Sequence, residues 1–89
     1  MDWDKLRVFY NVAESGNFTR AASRLQISQS AISRQISTLE DRIGMPLFHR
    51  HARGLILTEQ GELLFRTARE VFSELAMVQA RISENMKTS

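Results

Sequence analysis

Residues 17–44 read Asn17-Phe18-Thr19-Arg20-Ala21-Ala22-Ser23-Arg24-Leu25-Gln26-Ile27-Ser28-Gln29-Ser30-Ala31-Ile32-Ser33-Arg34-Gln35-Ile36-Ser37-Thr38-Leu39-Glu40-Asp41-Arg42-Ile43-Gly44. Two helical patterns lie in this stretch. Asn17 offers a cap, and Phe18, Ala21, Ala22 and Leu25 recur at helical spacing over barely two turns. After Gln26-Ile27-Ser28, Ser28 can cap a second pattern with the inner row Ile32, Ile36, Leu39 and Ile43. Gly44 closes it, with Pro46 two residues on. Ala21, Ala22 and Ala31 leave room for the two helices to cross closely, as a helix-turn-helix corner requires.

Working outward, Leu6, Phe9, Tyr10 and Ala13 make a further helix upstream, with Asp2 or Asp4 to cap it and Gly16 to end it. Downstream the period changes. Leu47-Phe48-His49-Arg50 and Leu55-Ile56-Leu57 are short apolar-rich runs, separated by His51-Ala52-Arg53-Gly54, and they predict two strands joined by a glycine-bearing turn. Thr58 can cap a fourth helix, with Glu59 and Glu62 favourable at its N-terminal dipole. From there Leu64, Ala68, Val71, Leu75, Val78 and Ile82 alternate steps of four and three, which is a heptad seam. A helix from Glu59 to Met86 would be roughly 42 Å long at about 1.5 Å per residue, longer than a 58-residue core could cover. The seam therefore asks for a partner chain, and the expected contact residues are those six. Trp3, Phe9, Tyr10, Phe18, Phe48, Phe65 and Phe72 fall at core spacing and are expected to pack rather than to stack on bases.

The fold class expected is mainly α: a winged helix-turn-helix of three helices plus a two-stranded wing over 1–58, then a dimerisation helix over 59–89. Eighty-nine residues with 43% hydrophobic and 25% charged side chains suit one folded domain. No cysteine is present, which removes disulfides, thiolate metal sites and cysteine nucleophiles. The acidic start Met1-Asp2-Trp3-Asp4 is unlike a signal peptide, and no apolar run approaches a membrane span, so a cytoplasmic protein without membrane contact is expected.

The net charge of +2 is unevenly placed. Residues 17–58 hold Arg20, Arg24, Arg34, Arg42, Arg50 and Arg53 against Glu40 and Asp41, while the segments on either side each carry a net −1. No acidic residue occurs from Ser15 to Leu39, and every cation of the middle segment is arginine, whose planar fork suits phosphates and guanine edges. On the third helix, with Gln29 at 0° and about 100° per residue, Ser33, Ser37, Ser30 and Arg34 follow at roughly 40°, 80°, 100° and 140°. The apolar row lies at roughly 280° to 340°, on the other side. Serines cost helix propensity and would not be chosen for stability alone, but they hydrogen-bond base edges. Glu40 and Asp41, two to three turns further on, should point away from phosphate.

Other chemistry is poorly supported. His49 and His51 could share a metal but lack a third ligand of matching type, so no metal and no cofactor are expected. There is no nucleophile elbow and no glycine-rich phosphate loop, which disfavours an enzyme. An RNA-binding module is disfavoured because no exposed aromatic platform is evident.

Phe18-Thr19-Arg20-Ala21-Ala22, Leu25, Ser28 to Ile36, Leu39-Glu40, Gly44, Leu47-Phe48 with Arg50, and Leu57-Thr58 with Gly61 together resemble the N-terminal DNA-binding domain of LysR-type transcriptional regulators. The resemblance covers nearly all of residues 1 to 61. It implies sequence-specific binding of double-stranded DNA at a two-fold symmetric operator, as a homodimer through the linker helix, with higher oligomers in a full-length protein. By position it makes Gln29, Ser30, Ser33 and Arg34 base readers, Thr19, Ser28 and Arg50 contacts to the phosphate backbone, and Arg53 the wing residue in the minor groove. Members of the family carry a ligand-sensing domain after the linker helix, and these 89 residues contain none. The alternative from another class is a winged-helix protein-interaction module that has lost DNA binding.

Overall fold

The computed structural model describes residues 2–51 and 54–88, without the side chains of His51 and residues 86–88. Its elements are α1 (Trp3–Ser15), α2 (Phe18–Leu25), α3 (Gln29–Ile43), β1 (Phe48–His51), β2 (Gly54–Leu57) and α4 (Glu59–Thr88). Local chemistry sets their ends. Asp2 accepts from the amide of Asp4 at 2.9 Å, Asn17 from that of Arg20 at 2.7 Å, and Ser28 from that of Ala31 at 3.1 Å, each answering an amide that a helix start leaves without a partner. The Lys5 ammonium bonded to Asp2, together with the Asp4 amide, holds the Asp2 carboxyl below its ordinary pKa. Gly16 and Gly44 close α1 and α3 in the left-handed region, with φ of 80° and 84°. Gln26 does the same for α2 at φ 58° despite its side chain, and it makes the sharp corner between α2 and α3.

The core is one cluster to which every helix contributes: Leu6, Val8, Phe9 and Val12 from α1, Ala21 from α2, Ile32, Ile36 and Leu39 from α3, and Ala68 from α4. Leu47 and Phe48 join it from the start of the wing. Ala21 is fully buried, so α2 approaches its neighbours with only a methyl group between, and Ala22 and Ala31 are half-buried beside it. The rings of Phe9 and Phe48 meet at 5.4 Å, joining wing to helices. β1 and β2 pair antiparallel, with Phe48 opposite Leu57 and Arg50 opposite Leu55. Leu47, expected in the first strand, stands just before it. Its amide donates to the Glu40 carboxylate at 2.7 Å and its carbonyl accepts from Thr58 at 3.0 Å, so it serves the cap of α4 rather than the ladder. Thr58 completes that junction: its hydroxyl donates to the Pro46 carbonyl at 2.8 Å and accepts from the Gly61 amide at 2.9 Å.

Three further sequence expectations need correction. Ala68, assigned to the dimer seam, is 1% exposed within the single chain and belongs to the domain's own core. Trp3, assigned to the core, is 64% exposed, because it stands in the first turn of α1 ahead of Leu6, where the core begins. Ile43, at the last turn of α3, overhangs the core and lines a shallow apolar groove with Leu47, Leu63 and Leu64.

The first half of α4 is seated by aromatic contacts. Tyr10 stacks on Phe65 at 5.4 Å and meets the edge of Phe72 at 5.3 Å, while the Arg69 guanidinium lies 4.7 Å over Phe65. Burial in this cluster, and then the nearby Glu14 carboxylate, raise the Tyr10 pKa above its ordinary value. Beyond Phe72 every described side chain through Asn85 is exposed. The 30 residues of α4 thus begin as part of the domain and end as a free rod, which accounts for the elongated dimensions of 53 × 25 × 21 Å. No helix among the described residues is long and apolar enough to cross a membrane.

Candidate nucleic-acid interface

The corner at Gln26-Ile27-Ser28 sets the first turns of α2 and α3 side by side, and the wing closes against them. One shallow depression results, lined by Asn17, Phe18, Thr19, Gln29, Arg50, Gly54 and Leu55. Two side-chain contacts organise it. The Gln29 amide nitrogen donates to the Thr19 hydroxyl at 3.2 Å, across the corner from one helix to the other. The Arg50 guanidinium carbon stands 5.8 Å from the centre of the Phe18 ring, within the range where a cation is drawn to an aromatic face. Phe18 itself is packed against the core, so it offers the arginine a fixed platform.

Of the expected base readers, Gln29, Ser30 and Arg34 are exposed on α3 and Ser33 is half-buried. The Ser30 hydroxyl lies 3.1 Å from that of Ser28, whose oxygen also caps the helix. The sequence-predicted phosphate contacts Thr19, Ser28 and Arg50 are all exposed: Thr19 and Arg50, from the first turn of α2 and from β1, line the depression, and Ser28 caps α3 next to Gln29 in the same lining. Arg53 lies outside the described residues. The expected dimer residues divide: Leu64 and Val71 are half-buried and Ala68 is buried, whereas Leu75, Val78 and Ile82 are 52%, 47% and 54% exposed.

The electrostatics come from which arginines are already occupied. Arg24 is paired with Glu14 at 3.1 Å, so it ties α2 to α1. Among the described residues, Arg20, Arg34, Arg42 and Arg50 make no ion pair within 4.0 Å. Glu40 turns its carboxylate to the amides of Leu47 and Phe48, at 2.7 and 3.4 Å, away from the serine and arginine face. The first turns of α3 are therefore a row of hydrogen-bonding groups beside arginines that make no ion pair among the described residues, with the exposed Asp41 carboxylate about three turns further along the helix. Of the histidine pair, His49 is exposed on β1 and the His51 side chain is outside the described set; no group of three potential metal ligands gathers among the described residues.

Sequence reasoning did not find the Thr19–Gln29 bond or the Phe18 platform. The two partners of each are 10 and 32 residues apart, and only the angle of the corner and the position of the wing bring them together.

Comparison with known proteins places this geometry. The model of a family described as bacterial regulatory helix-turn-helix protein, lysR family, matches residues 3–62. The glycine cleavage system transcriptional activator of Escherichia coli (strain K12) is 49% identical over 70 residues, covering 79% of this chain and 23% of that protein. The chain thus spans about a quarter of that relative's length. Among solved structures, the fold is similar to that in a BenM_DBD/catB site 1 DNA complex, with TM-score 0.86 and 32% identity, covering 94% of this chain and 93% of that one. It is also similar to a CbnR_DBD-DNA complex, with TM-score 0.80 and 39% identity, covering 96% and 97%. A family model over two thirds of the chain, and relatives of nearly equal extent with the same helices and wing, lead to one conclusion: this chain belongs to the lysR family of bacterial regulatory helix-turn-helix proteins.

Proposed function

We propose that the chain binds double-stranded DNA sequence-specifically, as the DNA-binding part of a transcriptional regulator. Its role is recognition without catalysis, in the cytoplasm where bacterial DNA lies. The carrying observation is the exposed face of α3, where Gln29, Ser30 and Arg34 are presented, Arg34 makes no ion pair among the described residues, and Glu40 is turned back into the fold. An α-helix fits the major groove, and amide, hydroxyl and guanidinium groups on its leading half match the donors and acceptors of base edges. Thr19, Ser28 and Arg50 would meet phosphates on either side, and Arg53 would enter the minor groove from the wing. The relatives seen in complex with DNA support this assignment.

Assembly follows from α4. Leu75, Val78 and Ile82 form an exposed apolar row at steps of three and four, beyond the reach of the chain's own core. We propose that a second copy covers it, which gives two α3 helices on one symmetry axis and hence a two-fold symmetric site.

Binding of the two arginine variants to matched and scrambled sites tests the assignment of roles. Arg34→Ala is expected to lower discrimination between the two sites by about 1–3 kcal/mol, the usual worth of one base-reading pair. Arg50→Ala is expected to weaken both sites alike. Equal weakening of both sites by Arg34→Ala would remove it from the base readers.

Salt provides a second measure. A dimer that neutralises about four to six phosphates should lose affinity with a log–log slope of about −4 to −5. A nearly flat dependence in a mobility shift would favour a protein-interaction role for the same surface.

A further inference from the structure

Thr19 holds the amide of Gln29, and the chemistry of that bond decides what Gln29 can read. The inference rests on the DNA-binding proposal above. A free glutamine side chain has three rotatable bonds, and fixing it on binding costs conformational entropy. In this protein one amide N–H is already engaged, at 3.2 Å, by a hydroxyl whose own side chain is β-branched and stiff about its first torsion. Gln29 is the first residue of α3 and is exposed, so the amide is held at the leading tip of that helix.

What remains on each partner is complementary to DNA. The Gln29 amide keeps its second N–H and its carbonyl oxygen, the donor and acceptor that fit N7 and the N6 amino group of adenine. The Thr19 hydroxyl, accepting from Gln29, keeps its own proton to give away. The depression it borders also holds Arg50 over the Phe18 ring, so a phosphate drawn there by the guanidinium lies next to that proton. We infer that Thr19 is a specificity-determining positioning residue: its hydroxyl links a backbone phosphate to the Gln29 amide and so orients that amide to select an A·T base pair. Neither the charge pattern nor the helix face of α3 singles out such a coupling, because it depends on a bond between two helices.

The test uses the 89-residue chain and a pool of random DNA, from which the preferred site is obtained. The position read by Gln29 is the one whose base preference disappears in Gln29→Ala. Affinities of the parent, Thr19→Ser and Thr19→Val are then measured for all four base pairs at that position. The parent is expected to prefer A·T by about tenfold or more, the discrimination usual for one bidentate pair. Thr19→Val, isosteric but without the hydroxyl, should cut that preference to about threefold or less and leave preferences elsewhere in the site intact. Thr19→Ser should keep it. Thermal melts of the variants exclude an effect through folding, since Thr19 is exposed. If Thr19→Val weakens all four base pairs equally and the preference survives, Thr19 is a phosphate contact only and the inference fails alone. A parent without base preference at any position overturns the DNA-binding proposal, and this inference with it.

Discussion

Gly61→Ala is expected to lower the melting temperature by about 12–24 °C, the equivalent of about 3 kcal/mol in a domain of this size. A methyl group at that position would strike the Leu47 carbonyl oxygen and stand 3.0 Å from the Leu57 side chain. The carbonyl has nowhere to retreat, because it accepts from the Thr58 amide at 3.0 Å while the Leu47 amide is held by Glu40. The first turn of α4 would have to lift away, breaking the Gly61–Thr58 bond and the Thr58–Leu47 bond. Over-packing costs about 1–3 kcal/mol and each lost bond about 0.5–1.5 kcal/mol, against a helix-propensity gain of only about 1 kcal/mol on replacing glycine. The opposing terms are unequal, so the sign is settled. Gly16→Ala is the control: nothing lies within 4 Å of its added methyl group, and only its φ of 80° resists, which should cost about 1 kcal/mol. A Gly61→Ala melt within 2 °C of the parent would mean that the α4 junction yields without cost.

The same junction marks what the sequence could and could not disclose. Helix ends were legible because their causes are local: Asn17, Ser28, Gly16 and Gly44 act on amides and carbonyls within a turn of themselves. The serine and arginine face of α3 was legible because helical rotation alone separates it from Ile32, Ile36 and Leu39. The fate of the heptad row was not, since spacing marks an apolar stripe without saying which partner covers it. Ala68 and Leu75 occupy equivalent places in the row, yet one lies within the domain and the other outside it. The difference comes from the aromatic seat of Tyr10, Phe65 and Phe72, which fixes how far α4 lies along the core before it departs. The reason for Gly61 was equally hidden, because the carbonyl that excludes a side chain there comes from Leu47, on the far side of the wing.

Replacing Leu75 by Lys, alone or together with Val78→Lys, is expected to give a folded monomer that binds a full two-half-site operator at least about 100-fold more weakly than the parent. Both side chains are about half exposed in the single chain and lie beyond Phe72, so a lysine ammonium at either place reaches water and leaves the domain intact. In a pairing of two α4 helices the same ammonium would be taken from water without a partner, which the seam does not tolerate. Tying two binding units together raises the overall affinity by about 10²–10⁴ through effective concentration, and that factor is what the variant loses. Spacing separates this loss from damage to the reading surface. Inserting five base pairs between half-sites turns one of them by about half a helical turn, so the parent should fall toward the affinity of an isolated half-site. The monomeric variant, which reads each half-site independently, should be indifferent to the insertion. Sedimentation at tens of micromolar, with both DNAs bound in parallel, checks each step. A parent that is already monomeric, or a variant that still feels the insertion, would show that something other than the outer half of α4 joins the two copies.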